Sequence, residues 1–250
     1  LKQNLKISII TVTKNSANFL EECILSVFNQ SYKNYEHIII DGNSTDKTID
    51  IIKKHNEKIS YWISEDDNGL YDAMNKGIKK STGDIIGILN SDDIFFPDAL
   101  KIVNKYFLLN FDLDFLFGSV YKHKLMHGYN PKKIKWSFGF YSTHSVGFFI
   151  KKKSQEKVGL YSLKYKYSSD YDLFYRMIIK EKMSGISTKK NEIIGFFKSG
   201  SYSSTFSYLD HLKEETLIRV DNKQNLFFVF LIFCIHFLKN MKKISNHDKI

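Results

Sequence analysis

The sequence predicts an α/β fold, an open and mostly parallel sheet flanked by helices, with a helical C-terminal tail. Three observations carry this. Strand-length, β-branched runs alternate with segments of helical periodicity through the first hundred residues. Those runs are continuously apolar, as in strands covered on both faces. The chain of 250 residues, 43% hydrophobic and 26% charged, is long enough to bury a large core and excludes disordered, collagenous and low-complexity classes.

The elements follow in order. Lys6 to Val12 is a β-branched strand. Asn18 can cap a helix whose apolar residues, Phe19, Leu20, Cys23, Ile24, Val27 and Phe28, fall at helical spacings. A polar turn leads to a second strand, Tyr35 to Ile40, ending at Asp41. The turn from Gly42 to Asp46 opens a helix containing Ile49, Ile51 and Ile52, with Ser44 or Thr45 as its cap. Ile59 to Ser64 reads as a strand, Leu70 to Lys80 as a helix and Asp84 to Leu89 as a strand closed by Asn90-Ser91-Asp92-Asp93. Pro97 suits the first turn of the next helix, where a missing N–H costs little. Beyond Leu109 the pattern loosens. Leu113 to Tyr121 and Ser145 to Lys151 read as strands and Asp170 to Lys182 as a helix. Ser199 to Ser204 reads as a flexible polar loop, and Leu226 to Leu238 is almost wholly apolar.

The net charge is +10, and all but two of the 37 basic residues are lysine. Forked guanidinium groups dominate base readout, so a Lys-rich, Arg-poor chain argues against sequence-specific nucleic-acid binding. Cys23 and Cys234 lie far apart without a CxxC, which argues against a disulfide scaffold or a cysteine zinc site and makes a reducing cytoplasm the default. Leu1 to Ile10 lacks the features of a signal peptide.

Ligands of open α/β sheets bind beyond the carboxyl ends of the strands, so the tips Thr13 to Asn15, Asp41 to Asn43 and Asn90 to Asp93 are the candidate site. Asp41 and the Asp92-Asp93 pair end two different buried strands, and like charges there repel unless a cation joins them. Mg²⁺ or Mn²⁺ takes such oxygen ligands together with substrate phosphates; a helix cap or a turn is the plainer use for the same acids. Asp72, Asn75 and Lys76 share one helix face before the strand that leads to Asp92. Asp170 and Asp172 both stand at a helix start, where either suits a general base and both suit the helix dipole; spacing does not separate them.

Taken together, these segments resemble family 2 inverting glycosyltransferases of the GT-A fold, over roughly residues 6 to 205. The resemblance rests on Ser8 to Asn15, Ser26 to Ser31, Ile40 to Thr48, Gly69 to Gly77, Thr82-Gly83-Asp84, Leu89 to Asp93, Pro97 and Ser169 to Leu173. The Gly-Leu-Tyr-Asp-Ala-Met-Asn-Lys-Gly segment is similar to the branch that builds bacterial surface polysaccharides. The resemblance implies a nucleotide-sugar donor, with UDP as the nucleotide. It places Val12, Thr13, Asn15, Asn43, Asn75, Asn90 and Ser91 at the nucleotide and Asp41 at the uracil ring. It assigns Asp92, with Asp93 beside it, to a divalent cation, Mn²⁺ or Mg²⁺, and Asp170 rather than Asp172 to the catalytic base. Asn90 stands where many members carry the first acid of an Asp-x-Asp motif, which lowers the charge of the metal site. His144 and Asp172 are candidates for the acceptor side, and Lys198 to Ser203 for a loop closing over phosphate.

The implied organisation is a transferase domain over 1–205, with the nucleotide part at about 1–110 and the acceptor part at about 111–205, followed by a helical tail over 206–250. The apolar stretch of the tail, 13 residues including His236, is shorter than the roughly 20 needed to cross a bilayer. With Lys239, Lys242 and Lys243 beside it, the stretch suits a helix lying on an anionic membrane surface, where polyisoprenoid-linked acceptors reside. The expected enzyme is then peripheral on the inner face of the cytoplasmic membrane. Two other readings use the same residues. A sugar nucleotidyltransferase would also use an acidic α/β site, but Thr13-Lys14-Asn15-Ser16 is not a Gly-rich phosphate loop. A catalytically inactive membrane- or polysaccharide-binding module gains from Asn90 and loses from the intact Asp92 and Asp170.

Overall fold

The computed structural model describes residues 4–135, 145–198 and 207–241. Its first half alternates β1 (Ile7–Thr13), α1 (Leu20–Phe28), β2 (Tyr35–Asp41), α2 (Thr48–Lys54), β3 (Tyr61–Ser64), α3 (Leu70–Lys80) and β4 (Ile85–Ile88), then β5 (Ile94–Phe95) and α4 (Ala99–Leu109). The second half holds β6 (Phe115–Phe117), β7 (Ser119–Tyr121), β8 (Leu125–Met126), β9 (Phe148–Lys151), α5 (Lys152–Val158), α6 (Ser169–Tyr175), β10 (Gly185–Ser187), β11 (Ile193–Phe196), α7 (Tyr208–Asp221) and α8 (Leu226–Lys239).

A seven-stranded sheet in the order β10-β6-β9-β4-β1-β2-β3 organises the chain, and a four-stranded sheet, β5-β11-β7-β8, lies beside it. In the large sheet only β9 runs against its neighbours. All seven residues of β1 are buried. Alternate residues serve opposite faces: Ile10 and Val12 join α3's Tyr71, Met74 and Ile78 in one core cluster, while Ile7 and Ile9 join Cys23 and Val27 of α1 in another. The expected mostly parallel α/β architecture is therefore present.

Several local expectations change. Asn18 makes no capping bond; the carbonyl of Ser16 takes the N–H groups of Phe19 and Leu20 at 3.0 Å each. Pro97 lies ahead of α4, outside its first turn. The run from Leu113 to Tyr121 is two strands in two sheets, β6 and β7, parted at Gly118. A Cβ on Gly118 would stand 2.1 Å from Cγ1 of Ile194, so only glycine lets the chain cross between the sheets there. The helix read to Lys182 is regular only to Tyr175 and continues as a π-helical turn, Arg176–Lys180.

At the opposite end of the sheet from the strand tips, one carboxylate ties three segments together. Glu36 accepts the Ser8 hydroxyl at 2.5 Å, the N–H and hydroxyl of Thr82 at 2.6 and 2.7 Å, and an ion pair from Lys6 at 2.7 Å. Burial alone would raise its pKa, but these donors outweigh burial and hold it at about 2, against an ordinary value of 4.5. A depressed carboxylate contributes stability above its unfolded pKa and loses it as pH falls toward the folded one. Glu36→Gln is expected to cost on the order of 2 kcal/mol near neutral pH and to flatten the acid limb of stability between about pH 4.5 and 2, as read by urea unfolding at a series of pH values.

Candidate active site

The β1–α1 and β2–α2 turns meet at the carboxyl edge of the sheet and are laced to each other. The N–H of Gly42 donates to the carbonyl of Thr13 at 2.9 Å, and that of Asn15 to Ser44 Oγ at 2.8 Å. Asn15 Oδ1 accepts the N–H of Thr45 at 2.9 Å, and Thr48 Oγ1 accepts that of Ser16 at 2.8 Å. Asn15 and Asn43 both adopt positive φ, 51° and 59°, a region that asparagine tolerates better than most residues. The cap of α2 comes from Asp46, whose Oδ1 accepts the N–H of Thr48 at 2.9 Å, and not from Ser44 or Thr45. Ser44 instead donates its hydroxyl to Asp41 Oδ1 at 2.5 Å and its N–H to Oδ2 at 2.9 Å, while Ser64 adds a third bond at 2.6 Å. Asp41 is fully buried. Its carboxylate lies under the turn and accepts from Ser44 and Ser64. Asn43 is exposed and donates to Asp66 at 3.1 Å.

The tip of β4 is different. Ser91 donates to Ser16 at 2.9 Å, which joins this tip to the β1–α1 turn, and Asn90 Nδ2 donates to Ser145 at 3.1 Å. Asn90 Oδ1, Asp92 Oδ2, Asp93 Oδ2 and Thr13 Oγ1 are buried and lack a hydrogen-bond partner. Asp93 has no exposed surface, and its Oδ1 accepts the N–H of Lys198 at 3.2 Å. Burial and the neighbouring charge of Asp92 push its carboxyl well above the ordinary range. Unsatisfied buried oxygens are costly, and four within two strand tips make a donor set suited to a hard cation. No group of three or more His, Cys, Asp or Glu side chains suited to a metal occurs among the described residues, so one or two carboxylates would hold such an ion together with ligand oxygens, the usual Mg²⁺ arrangement. The partly exposed Asp92 is the direct candidate, and Asp93 lies behind it.

On the other side of the edge, Asp170 sits in the first turn of α6. Its Oδ1 accepts the N–H of Tyr171 at 2.8 Å and the hydroxyl of Tyr71, from α3, at 3.3 Å. Asp172 is committed elsewhere: it is buried, pairs with Arg176 at 2.9 Å and accepts from Asn222 at 3.0 Å. A carboxylate so paired serves the packing of α6. On the donor side the structure places two of the expected residues in the core. Asn75 is buried with its amide matched to the backbone of one residue, Nδ2 donating to the carbonyl of Tyr161 and Oδ1 accepting its N–H, both at 2.9 Å. Val12 is 4% exposed and belongs to the core. Lys76 pairs with Glu65 at 2.9 Å, and Asp72 accepts the N–H of Asn68 at 3.0 Å, so that face of α3 closes on its own loop. His144 and the loop beyond Lys198 lie outside the described residues.

Residues that the sequence reading passed over stand beside Asp170. Glu214 and Glu215 lie on α7, in the segment read as an appended tail. Burial pushes the Glu215 carboxyl well above the ordinary range; Arg219 opposes this and the charge of Asp170 adds to it. No local signal marks Glu214, because its partners are more than 40 residues away.

The sequence model described as glycosyl transferase family 2 matches residues 8–180. An uncharacterized glycosyltransferase of Rickettsia typhi is 32% identical over 189 residues, which cover 69% of this chain and 58% of that protein. The dolichyl N-acetyl-alpha-D-glucosaminyl phosphate 3-beta-D-2,3-diacetamido-2,3-dideoxy-beta-D-glucuronosyltransferase of Methanococcus voltae is 42% identical over 102 residues, 38% of this chain and 32% of that protein. The chain thus spans less than two thirds of the length of these relatives. Among solved structures, S. aureus TarS 1-349 in complex with UDP-GlcNAc superposes with a TM-score of 0.71 at 17% identity, covering 96% of this chain and 79% of TarS. The mannosyltransferase PcManGT of Pyrobaculum calidifontis, in complex with GDP-Man and Mn²⁺, gives 0.66 at 16% identity, covering 89% and 65%. These likenesses show the expected GT-A fold.

The pairing of Asp172 has a measurable consequence. Removing one partner of a buried ion pair leaves the other uncompensated, at a cost of about 3 kcal/mol. Asp172→Asn is therefore expected to lower the unfolding free energy by roughly that amount in urea titrations, and an unchanged midpoint would show that the pair is not structural.

Proposed function

The chain belongs to glycosyl transferase family 2, and we propose that it is a metal-dependent inverting transferase. It moves a hexosyl or N-acetylhexosaminyl group from a UDP-sugar to a hydroxyl of a glycan or polyisoprenoid-linked acceptor in bacterial surface polysaccharide synthesis, of the lipopolysaccharide or capsule kind. The observation that carries the reading is the set of unpartnered buried oxygens on Thr13, Asn90, Asp92 and Asp93. The UDP-GlcNAc and Mn²⁺ complexes of the structural neighbours support it.

In this reading Asp92 holds Mn²⁺ or Mg²⁺, with Asn90 and Asp93 beside it, and the ion supplies positive charge to the diphosphate leaving group. Thr13, Asn15 and Asn43 border the nucleotide on the laced turns, and Ser91 ties that border to the β4 tip. Asp41 keeps the turn in shape under the base. Asp170 takes the proton of the acceptor hydroxyl as its oxygen forms the new bond to the anomeric carbon. The bond from that carbon to the UDP oxygen breaks in the same displacement, so the centre inverts and UDP leaves. The N–H of Tyr171 and the hydroxyl of Tyr71 hold one oxygen of Asp170 and orient the carboxylate.

The second half of the proposal is a seat on the membrane. No helix is long and apolar enough to cross a bilayer among the described residues. In α8 only Val229 and Ile232 are buried, and Leu226, Phe227, Phe230, Ile235 and Leu238 are each more than half exposed. An apolar face of this kind, followed by lysines, fits an interfacial helix on anionic lipid at the inner face of the cytoplasmic membrane. The partners are then the donor, the acceptor and the lipid surface, with no role for nucleic acid.

A thermal-shift panel of nucleotide sugars tests the donor half. UDP-sugars with Mn²⁺ are expected to raise the unfolding midpoint by mass action, and Asp92→Ala to lose the Mn²⁺-dependent part. Turnover should release UDP rather than pyrophosphate. Asp170→Asn should keep the shift and lose UDP release by about a hundredfold or more. A panel in which no nucleotide sugar stabilises the protein refutes the reading. For the membrane half, co-flotation with phosphatidylglycerol vesicles is expected for the wild-type chain, and loss of it for the Phe227→Ser, Phe230→Ser double variant. Equal flotation of both proteins would sink that half alone.

A further inference from the structure

α7 reaches the loop that carries Asp170 through one side chain. Glu214 Oε1 accepts the backbone N–H of Lys166 at 2.6 Å. Its Oε2 accepts the N–H groups of Tyr167 and Ser168 at 2.7 and 2.6 Å. Three successive amides converging on one anion form a nest, filled here by a carboxylate 46 to 48 residues further along the chain. Ser168 immediately precedes α6, and its carbonyl accepts the N–H groups of Tyr171 and Asp172 at 3.0 and 3.3 Å. The amides that Glu214 grips therefore end two residues before Asp170.

Other residues of α7 fasten the same stretch. Asp221 accepts from Lys164 at 2.6 Å and from the Tyr165 hydroxyl at 2.5 Å. Asn222, just past the helix, donates to Asp172 at 3.0 Å. His211 Nδ1 lies 3.4 Å from Ser168 Oγ. The stretch from 160 to 168 has no helix or strand of its own, so these side-chain bonds set its path. Charge-assisted bonds to a carboxylate are about twice as strong as neutral ones, and Glu214 makes three of them at the end nearest Asp170.

We propose that Glu214 is a positioning residue for the transfer reaction: it fixes where Asp170 stands, and α7 thereby completes the site. The proposal rests on the reading of Asp170 as the base. A base works only within hydrogen-bond reach of the proton it takes, and a misplacement of about 1 Å costs about a hundredfold in rate.

The test uses the full chain and two readouts. By hydrogen exchange, the amides of residues 166–168 in the wild type should exchange at least about tenfold more slowly than unbonded loop amides, because opening must precede exchange. Glu214→Gln should release them while the amides of β1 and β2 stay protected. In UDP release from UDP-N-acetylglucosamine with Mn²⁺, Glu214→Gln should lower kcat by about ten- to a hundredfold and leave the donor KM within about twofold. Glu214→Asp, which keeps the charge, should fall between it and the wild type. Fast exchange at 166–168 in the wild type overturns the proposal whether or not any variant folds. So does full kcat in Glu214→Gln when Asp170→Asn is inactive. Full activity of Asp170→Asn strikes the reading of the base, whereas the exchange result reports on Glu214 alone.

Discussion

A polar atom at the end of a buried strand needs a partner, and the site is organised around the few that have none. Most of the molecule meets the requirement in full. Glu36 gathers donors from two segments, Asp41 accepts three bonds from its own turn and from β3, and Asn75 pairs with both backbone groups of Tyr161 across the core. Against that background oxygens are left over on Thr13, Asn90, Asp92 and Asp93; buried atoms of His37, His55 and Asn222 also lack a partner, but only at the strand tips do four such oxygens fall on two neighbouring tips. Their cost is tolerated where a ligand removes it on binding, because an unsatisfied buried group destabilises the empty protein and favours the occupied one.

The neighbouring turns are laced together, and this gives the unpartnered oxygens a fixed frame. The lacing of Asn15, Ser44, Thr45 and Thr48 joins β1 to β2 beyond the sheet, where the strands can no longer hold each other. Ser91 carries the connection to β4. A site made from strand ends would otherwise rest on three independent loops. Preorganised polar groups stabilise developing charge without moving at the moment of reaction, which is the physical use of so many side-chain bonds in so short a stretch.

The C-terminal helices divide two tasks between them. α7 is held to the 160s by Glu214 and Asp221; Asn222, just past it, bonds Asp172, and Arg219 is buried, donates to the carbonyl of Lys135 and lies over the ring of Tyr171. α8 packs on α7 and leaves most of its apolar side chains outward. In the proposed reading, the helix offered to a lipid surface is one helix away from the one proposed to steady Asp170, so a lipid-anchored acceptor and the base would share one support.

The strands and helices of the first half were legible in the amino-acid sequence, because burial on both faces writes a continuous apolar run and helical packing writes its own period, both within ten or twelve residues. The strand-tip motifs were legible for the same reason: Asp41-Gly42-Asn43 and Asn90-Ser91-Asp92-Asp93 are contiguous. What only the tertiary structure decided were partnerships at long range. Asp170 and Asp172 are equivalent by spacing, and only the fold shows Arg176 and Asn222 claiming Asp172. Only the fold shows Tyr161 taking the amide of Asn75. Gly118 splits one apparent strand into two because Ile194 fills the space a side chain would need. Glu214 carries no mark in the sequence at all, since hydrogen bonds are directional and short-ranged, and the three amides it holds come within reach only after the chain has folded back on itself.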